Sequence, residues 1–294
     1  MIKFLRQFHL TNGNGETLGL NNETGLLALD PEGLGVSFDN DYDGLNGNYR
    51  IKSSSVNMNE FKINIMYGTF RDQKTYQVFS DFISFLNYTP LQLHYVTDAG
   101  HFIRKIKVKE IGKTEINFAG RMKEPVSFDC TSPWFCLKTA QKVSKTFTTY
   151  GGKVPTYGYP FVYGPDLTGR YNILKINNES VYLMNSDEMV SPTQIEIEGA
   201  CIDPYWELWH NGEKIADDGY KLSLNAGEKL VVSSFQDDIR VSRFGTDGFE
   251  QSVYQYQDHN KSNFIHLPVG KSEIVCHVGA ADFKLSWREE RLVV

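Results

Sequence analysis

Histidines come first in any search for chemistry, and the seven in this chain are scattered: His9, His94, His101, His210, His259, His266 and His277. Metal sites built on one element place their ligands a few residues apart on a common face, and only His259 and His266 approach such a spacing. Those two flank an expected strand edge, so no metal and no cofactor are assigned. A Gly-x-Ser-x-Gly elbow, a Gly-x-x-x-x-Gly-Lys phosphate loop and a His-Glu-x-x-His helix are all missing from the sequence. Cysteine–histidine catalysis has no local signature here. Paired carboxylates remain. Asp217-Asp218 and Asp237-Asp238 are adjacent, whereas a glycosidase needs two carboxylates converging on one bond from separate strands. Neighbours along a strand point to opposite faces, and both pairs are expected to be solvated turn residues. Glu196 and Glu198 do share a face, but Ile195 and Ile197 fill the other, as on any half-buried strand. No catalytic residues are assigned, and the chain is not expected to be an enzyme.

The run Tyr205-Trp206-Glu207-Leu208-Trp209 supports two readings. Exposed aromatic faces stack on sugar rings in carbohydrate-binding modules, while alternate aromatics in a sandwich simply fill the core. Trp206 and Leu208 share one face and suit a core. Tyr205 and Trp209 lie on the other and are candidate contacts for a partner or a glycan.

The elements that carry these residues follow from composition and pattern. With 294 residues the chain has room for two domains, and 40% hydrophobic with 22% charged residues supports packed cores. Aromatics reach 13%, mostly Phe and Tyr, which suits strand-rich folds. A net charge of -6 with no long basic run argues against a nucleic-acid binder. No apolar stretch is long enough for a membrane helix, no signal peptide is visible at the N-terminus, and no membrane contact is expected. Cys130, Cys136, Cys201 and Cys276 are irregularly spaced and read as reduced thiols.

Residues 11–48 are rich in Gly, Asn and Asp and predict short strands between tight turns. Phe61 to Tyr67 alternates as a strand. One helix is predicted from about Asp72, as N-cap, to Asn87, stopped by Thr89-Pro90. Its polar stripe is narrow, and Tyr76, Val78, Phe79, Phe82, Ile83, Phe85 and Leu86 cover the rest of the cylinder. One protomer's sheet covers one stripe, so a neighbouring subunit is expected on the other side. A hairpin follows, Leu91 to Tyr95 returning through His101 to Ile111 about a turn at Thr97–Gly100. On its return strand Arg104 shares a face with Phe102 and Ile106, while Lys105 and Lys107 line the opposite face. A third strand, Ile116 to Cys130, is expected at an edge or a bulge because Pro125 interrupts it. Residues 139–172 read as a linker or the entry to a second domain. Beyond them, short strands separated by Asn-Gly and Asp-Gly turns predict an antiparallel β-sandwich.

Several segments together resemble a known family. Gly15-Glu16, Pro31-Glu32-Gly33-Leu34-Gly35, Phe79-Ser80-Asp81-Phe82-Ile83, the hairpin from Leu91 to Lys109 and Ser132-Pro133-Trp134-Phe135 are similar to the N-terminal half of distal tail proteins. These belong to long-tailed, non-contractile phages of Gram-positive bacteria. Ser191 to Gly199, Asp203-Pro204-Tyr205-Trp206 and Leu224 to Glu228 are similar to that family's C-terminal domain. The resemblance implies a mainly β fold with a ring-forming, β-sandwich-like domain over residues 1–140, completed in some members by the terminal strand (280–294). It implies a second, galectin-like or carbohydrate-binding-module-like sandwich over 145–279. The expected assembly is a homohexameric ring at the virion tail tip, put together in the host cytoplasm. Expected partners are the major tail tube protein, a tail-associated lysin-like protein and receptor-binding or baseplate proteins, with DNA only as passing cargo. The ring interface maps onto residues 72–88 and 91–110, with Tyr76, Phe79, Phe82, Ile83, Phe85, Arg104, Lys105 and Lys107 as candidate contacts. Six copies would carry 6 × -6 = -36 charges, part of which is expected to line the channel and keep DNA from adhering. A carbohydrate-binding module for host cell-wall saccharide is the alternative reading.

Overall fold

The computed structural model describes residues 6–57, 59–68, 74–142, 173–183 and 189–294. The chain divides into two compact units, Met1–Cys136 with Glu290–Val294, and Leu137–Glu289. Strand dominates both, in antiparallel sheets, with a single α-helix among the described residues.

In the first unit the elements are β1 (Arg6–Thr11), β2 (Thr17–Gly19), β3 (Leu26–Glu32), β4 (Phe38–Leu45), β5 (Asn48–Val56), β6 (Glu60–Tyr67), α1 (Thr75–Leu86), β7 (Leu91–Thr97), β8 (Gly100–Ile111), β9 (Met122–Cys130) and the first three residues of β10 (Trp134–Lys142). Strand neighbours run β2-β1-β7-β8-β9-β6-β3. The path curls back on itself, because Leu20 donates to the Phe8 carbonyl and accepts from Ala28, and Asn21 bridges Leu27. Inside the curl Phe8, Leu10, Phe61, Ile65, Phe128 and Trp134 are buried with Phe82 and Leu86 of α1. Alternation explains β6: Phe61, Ile63, Ile65 and Tyr67 are buried on one face of the pleat. β4 and β5 pair only with each other among the described residues, around the Asn46-Gly47 turn, where both residues have positive φ.

The hairpin turn falls at Thr97↔Gly100 as read from the sequence. The third strand is shorter than expected, starting at Met122, because Asn117 Oδ1 accepts the backbone N–H groups of Ala119 and Arg121 and folds residues 117–121 into a turn. Of the two alternatives for this strand, an edge or a bulge, the structure has the bulge. β9 is interior, paired to β6 on one side and β8 on the other. Pro125 is tolerated there because β8 bulges between Val108 and Glu110 and ends at Ile111, after which Gly112 donates to the Pro125 carbonyl at 2.8 Å. The expected N-cap, Asp72, lies outside the described residues; α1 begins after Lys74, which makes no side-chain cap. Of the expected linker, Thr139–Lys142 are strand and residues 143–172 lie outside the described residues.

The second unit holds β11 (Ile173–Asn178), β12 (Val190–Ser191), β13 (Thr193–Glu198), β14 (Cys201–Ile202), β15 (Tyr205–His210), β16 (Glu213–Gly219), β17 (Ser223–Leu224), β18 (Lys229–Ser233), β19 (Arg240–Phe244), β20 (Glu250–Ser252), β21 (Leu267–Pro268), β22 (Gly270–His277) and most of β23 (Asp282–Arg291). One sheet is β11-β22-β15-β16; the other runs β23-β13-β18-β19-β20. They share one core, with Trp206, Leu208, Ile274 and Cys276 from the first and Ile195, Ile197, Leu230, Phe283 and Leu285 from the second. Asn211 and Gly212, both at positive φ, make the tight β15–β16 turn. The four cysteines are free thiols, three of them buried.

Candidate functional site

The acidic pairs do not converge on a common point. Asp218 departs from expectation, being wholly buried and not a solvated turn residue. It sits near the end of β16, and its two carboxylate oxygens accept from the Gly219 N–H at 2.8 Å and the Phe264 N–H at 3.2 Å. Those two donors make burial of the carboxyl tolerable, although desolvation still raises its pKa to about 7. Asp217, pointing the other way, faces Lys214 and Lys261 at 3.2 and 3.7 Å. The pair therefore serves packing and surface charge separately.

The helix candidates fall into three environments. Phe82 is buried against Tyr67, with ring centroids 5.7 Å apart, and Phe79 meets the same ring edge-on at 5.1 Å. Ile83 and Phe85 are half-buried against the same core. Tyr76 is 45% exposed; its hydroxyl donates to Glu115 and Lys113 stands over its ring at 5.7 Å. Ile83, Leu86, Tyr88, Val108 and Ile111 line a shallow groove at the end of the helix. On β8, Arg104 faces its own core, Lys105 is half-buried with its backbone N–H bonded to Ser132 Oγ, and Lys107 is exposed. Phe82 and Arg104 thus spend their side chains inside the unit, while Tyr76 and Lys107 present theirs to solvent.

The β4–β5 ribbon adds a surface that strand and turn patterns did not single out. Tyr42 pairs with Ile51 and Gly44 with Tyr49, so the three large side chains stand on one face. Tyr42 is 51% exposed, Ile51 60% and Tyr49 78%. Their alternation along the ribbon was visible in the sequence; that nothing in the same unit would cover them was not.

On β15 the division between faces holds. Trp206 and Leu208 are buried. Tyr205 is already engaged, stacked on His277 at 4.0 Å with the Lys261 ammonium 4.4 Å from its centroid. Trp209 donates Nε1–H to Glu207 at 3.2 Å and borders a groove with Lys175, Asn177, Asn211, Lys271 and Glu273.

Residues 7–131 match the family model for the distal tail protein, N-terminal domain. That stretch of the chain is similar to the N-terminal domain of distal tail proteins. Solved structures extend the likeness of fold over both units. A chain of the phage p2 baseplate, in its activated conformation with Sr, is 16% identical, with a TM-score of 0.69 over 98% of this chain and 99% of that one. The p2 baseplate with Ca gives 16%, 0.67, 99% and 100%. The Dit protein of phage SPP1, described as a paradigm of the hub adsorption apparatus in phages infecting Gram-positive bacteria, gives 10%, 0.59, 96% and 98%. No curated protein sequence matches this chain.

Proposed function

We propose that this protein is a distal tail protein, a baseplate hub in which six copies close a ring at the tail tip of a phage of Gram-positive bacteria. The observation that carries the reading is the β4–β5 ribbon. A lone two-stranded ribbon is marginal in water, and this one holds Tyr42, Tyr49 and Ile51 out on a single face. A neighbouring protomer is the cover the reading supplies, and the half-covered face of α1 around Tyr76 is a second contact. In this reading the ring joins the tail tube protein on one side and a tail-associated lysin-like protein on the other. The second unit carries receptor-binding proteins, and DNA only passes through. Mass photometry of the full chain should find six copies. Tyr49→Ser combined with Ile51→Ser should shift the population toward monomers while leaving the melting temperature unchanged. A wild-type chain that stays monomeric at high concentration overturns the ring.

One observation favours a second reading, saccharide binding by the second unit. Trp209 borders a groove whose other residues include Asn, Lys, Ser and Glu, a pairing of flat apolar face and polar rim that suits a sugar. Tyr205 contributes less, its ring being occupied by His277 and Lys261. Cell-wall glycans arrayed against the full chain and against Trp209→Ala decide it. Binding lost in the variant supports the reading, and no binding by the wild type removes it.

A further inference from the structure

Three histidines far apart in sequence meet on one face of the first unit's sheet. His9 on β1 lies directly opposite His94 on β7. His94 is two residues from Val96, which pairs with His101 on β8, so all three rings project from the same side. Ring centroids are 5.1 Å apart for His9 and His94, 5.1 Å for His94 and His101, and 5.6 Å for His9 and His101. One ring nitrogen from each lies within 4.8 Å of the other two.

We propose that His9, His94 and His101 bind a borderline divalent transition metal, with zinc the best chemical fit, and that the ion staples β1 to the β7–β8 hairpin. Zinc holds imidazole nitrogens at about 2.0–2.1 Å in a tetrahedron, which places them roughly 3.3 Å from one another. His94 Nδ1 and His101 Nε2 stand 2.9 Å apart, so they need to open only slightly, while His9 turns inward. The remaining nitrogen of His94 is held from behind, Nε2 lying 2.9 Å from Thr11 Oγ1, which in turn lies 3.2 Å from Thr17 Oγ1. An Nε2–H donated to Thr11 leaves the Nδ1 lone pair aimed at the site, the arrangement that orients metal-binding histidines. Desolvation, then the neighbouring imidazoles, push the pKa of His94 down to about 4, and burial with His101 lowers that of His9. Those two rings are neutral near pH 7 and keep their lone pairs free.

Donor type selects the ion. Three nitrogens with no carboxylate among them disfavour calcium and magnesium, which take oxygen ligands, and favour zinc, nickel, cobalt or copper. His101 is exposed, so a fourth position opens to water. Lys105, opposite Gln92, is the charged residue of that face in the adjoining row.

The test is calorimetric titration of the untagged full chain with Zn²⁺, alongside the absorption spectrum of the Co²⁺ form. One ion per chain, a tetrahedral Co²⁺ spectrum and a melting temperature raised by Zn²⁺ are expected. His101→Gln, at an exposed position, should abolish measurable binding without moving the metal-free melting temperature. Thr11→Val should weaken binding by about tenfold to a hundredfold. His266→Gln, remote in sequence, should bind as the wild type does. Absence of Zn²⁺ binding by the wild type, or binding unchanged in both His101→Gln and His94→Gln, overturns the site.

Discussion

Arg104 lays its guanidinium over the indole of Trp134, 5.4 Å from the ring centroid, while Nε donates to the Ser132 carbonyl at 2.8 Å. The Ser-Pro-Trp-Phe segment thus has a physical task, which is to receive a buried cation from the neighbouring strand. Nη1 of that cation is buried without a partner among the described residues. A buried charge so incompletely satisfied contributes less than its packing does. Arg104→Met, which keeps the length and removes the charge, should therefore stay within about 1 kcal/mol of the wild type or exceed it. Arg104→Ala should lose about 2–4 kcal/mol by opening a cavity beside Trp134. Urea unfolding of the two variants separates packing from charge.

Two glycines in one loop should behave oppositely. Gly33 has φ +83°, and a Cβ there would run into the Glu60 carbonyl, whereas a Cβ on Gly35 meets nothing. Gly33→Ala should cost at least about 2 kcal/mol, since the left-handed conformation alone costs about 1–2 kcal/mol for a residue with a side chain. Gly35→Ala should stay within about 0.5 kcal/mol. Urea midpoints for the two variants provide the comparison.

Asp218 should make the second unit less stable as pH rises. Desolvation, followed by the nearby Asp217, raises its folded pKa to about 7 from 3.8, against the opposing Gly219 and Phe264 donors and Lys261. Between those two values the folded state binds the extra proton, so stability is greatest near pH 4, falls as pH climbs to about 7, and is level above it. The whole change amounts to roughly 4 kcal/mol. Asp218→Asn cannot titrate, so denaturation across pH 4–8 should show the variant gaining on the wild type by about that amount.

His94 should act in the reverse sense on the first unit. Its folded pKa, about 4, lies below the ordinary 6.5 because of burial and then the charges of His9 and His101. Here the unfolded chain takes the proton more readily, so the contribution is complete above about pH 6.5 and is lost as pH falls toward 4. Thr11 and Gln92 on the same face are uncharged, and Lys105 is the charged residue of the next row. Calorimetry at pH 7 and pH 5 should show the first unit melting earlier in acid, an effect abolished in His94→Gln.

The sequence reading succeeded where a local pattern settles the outcome. The hairpin at Thr97–Gly100 and the inward Trp206 and Leu208 follow from alternation and turn chemistry alone. It failed where the deciding partner is remote. Asp218 looked like a turn residue because the Phe264 N–H that lets it stay inside arrives 46 positions later. Pro125 left an edge and a bulge both open, because the end of β8 beside it cannot be read from Pro125 itself. The histidine cluster lies between these cases. Once the hairpin turn is fixed, His94 and His101 must fall on one face, but only the docking of β1 brings in His9.

The first unit is finished by residues 290–294, which follow the second unit in sequence. Leu292 is buried, Val294 packs against that unit's core, and Arg291 stands over Phe102 at 5.8 Å. During translation, everything from Leu137 to Glu289 must leave the ribosome before these residues can close the unit that began with β1. A nascent or prematurely terminated chain lacks that closure. The first unit therefore closes only in chains translated past Leu292.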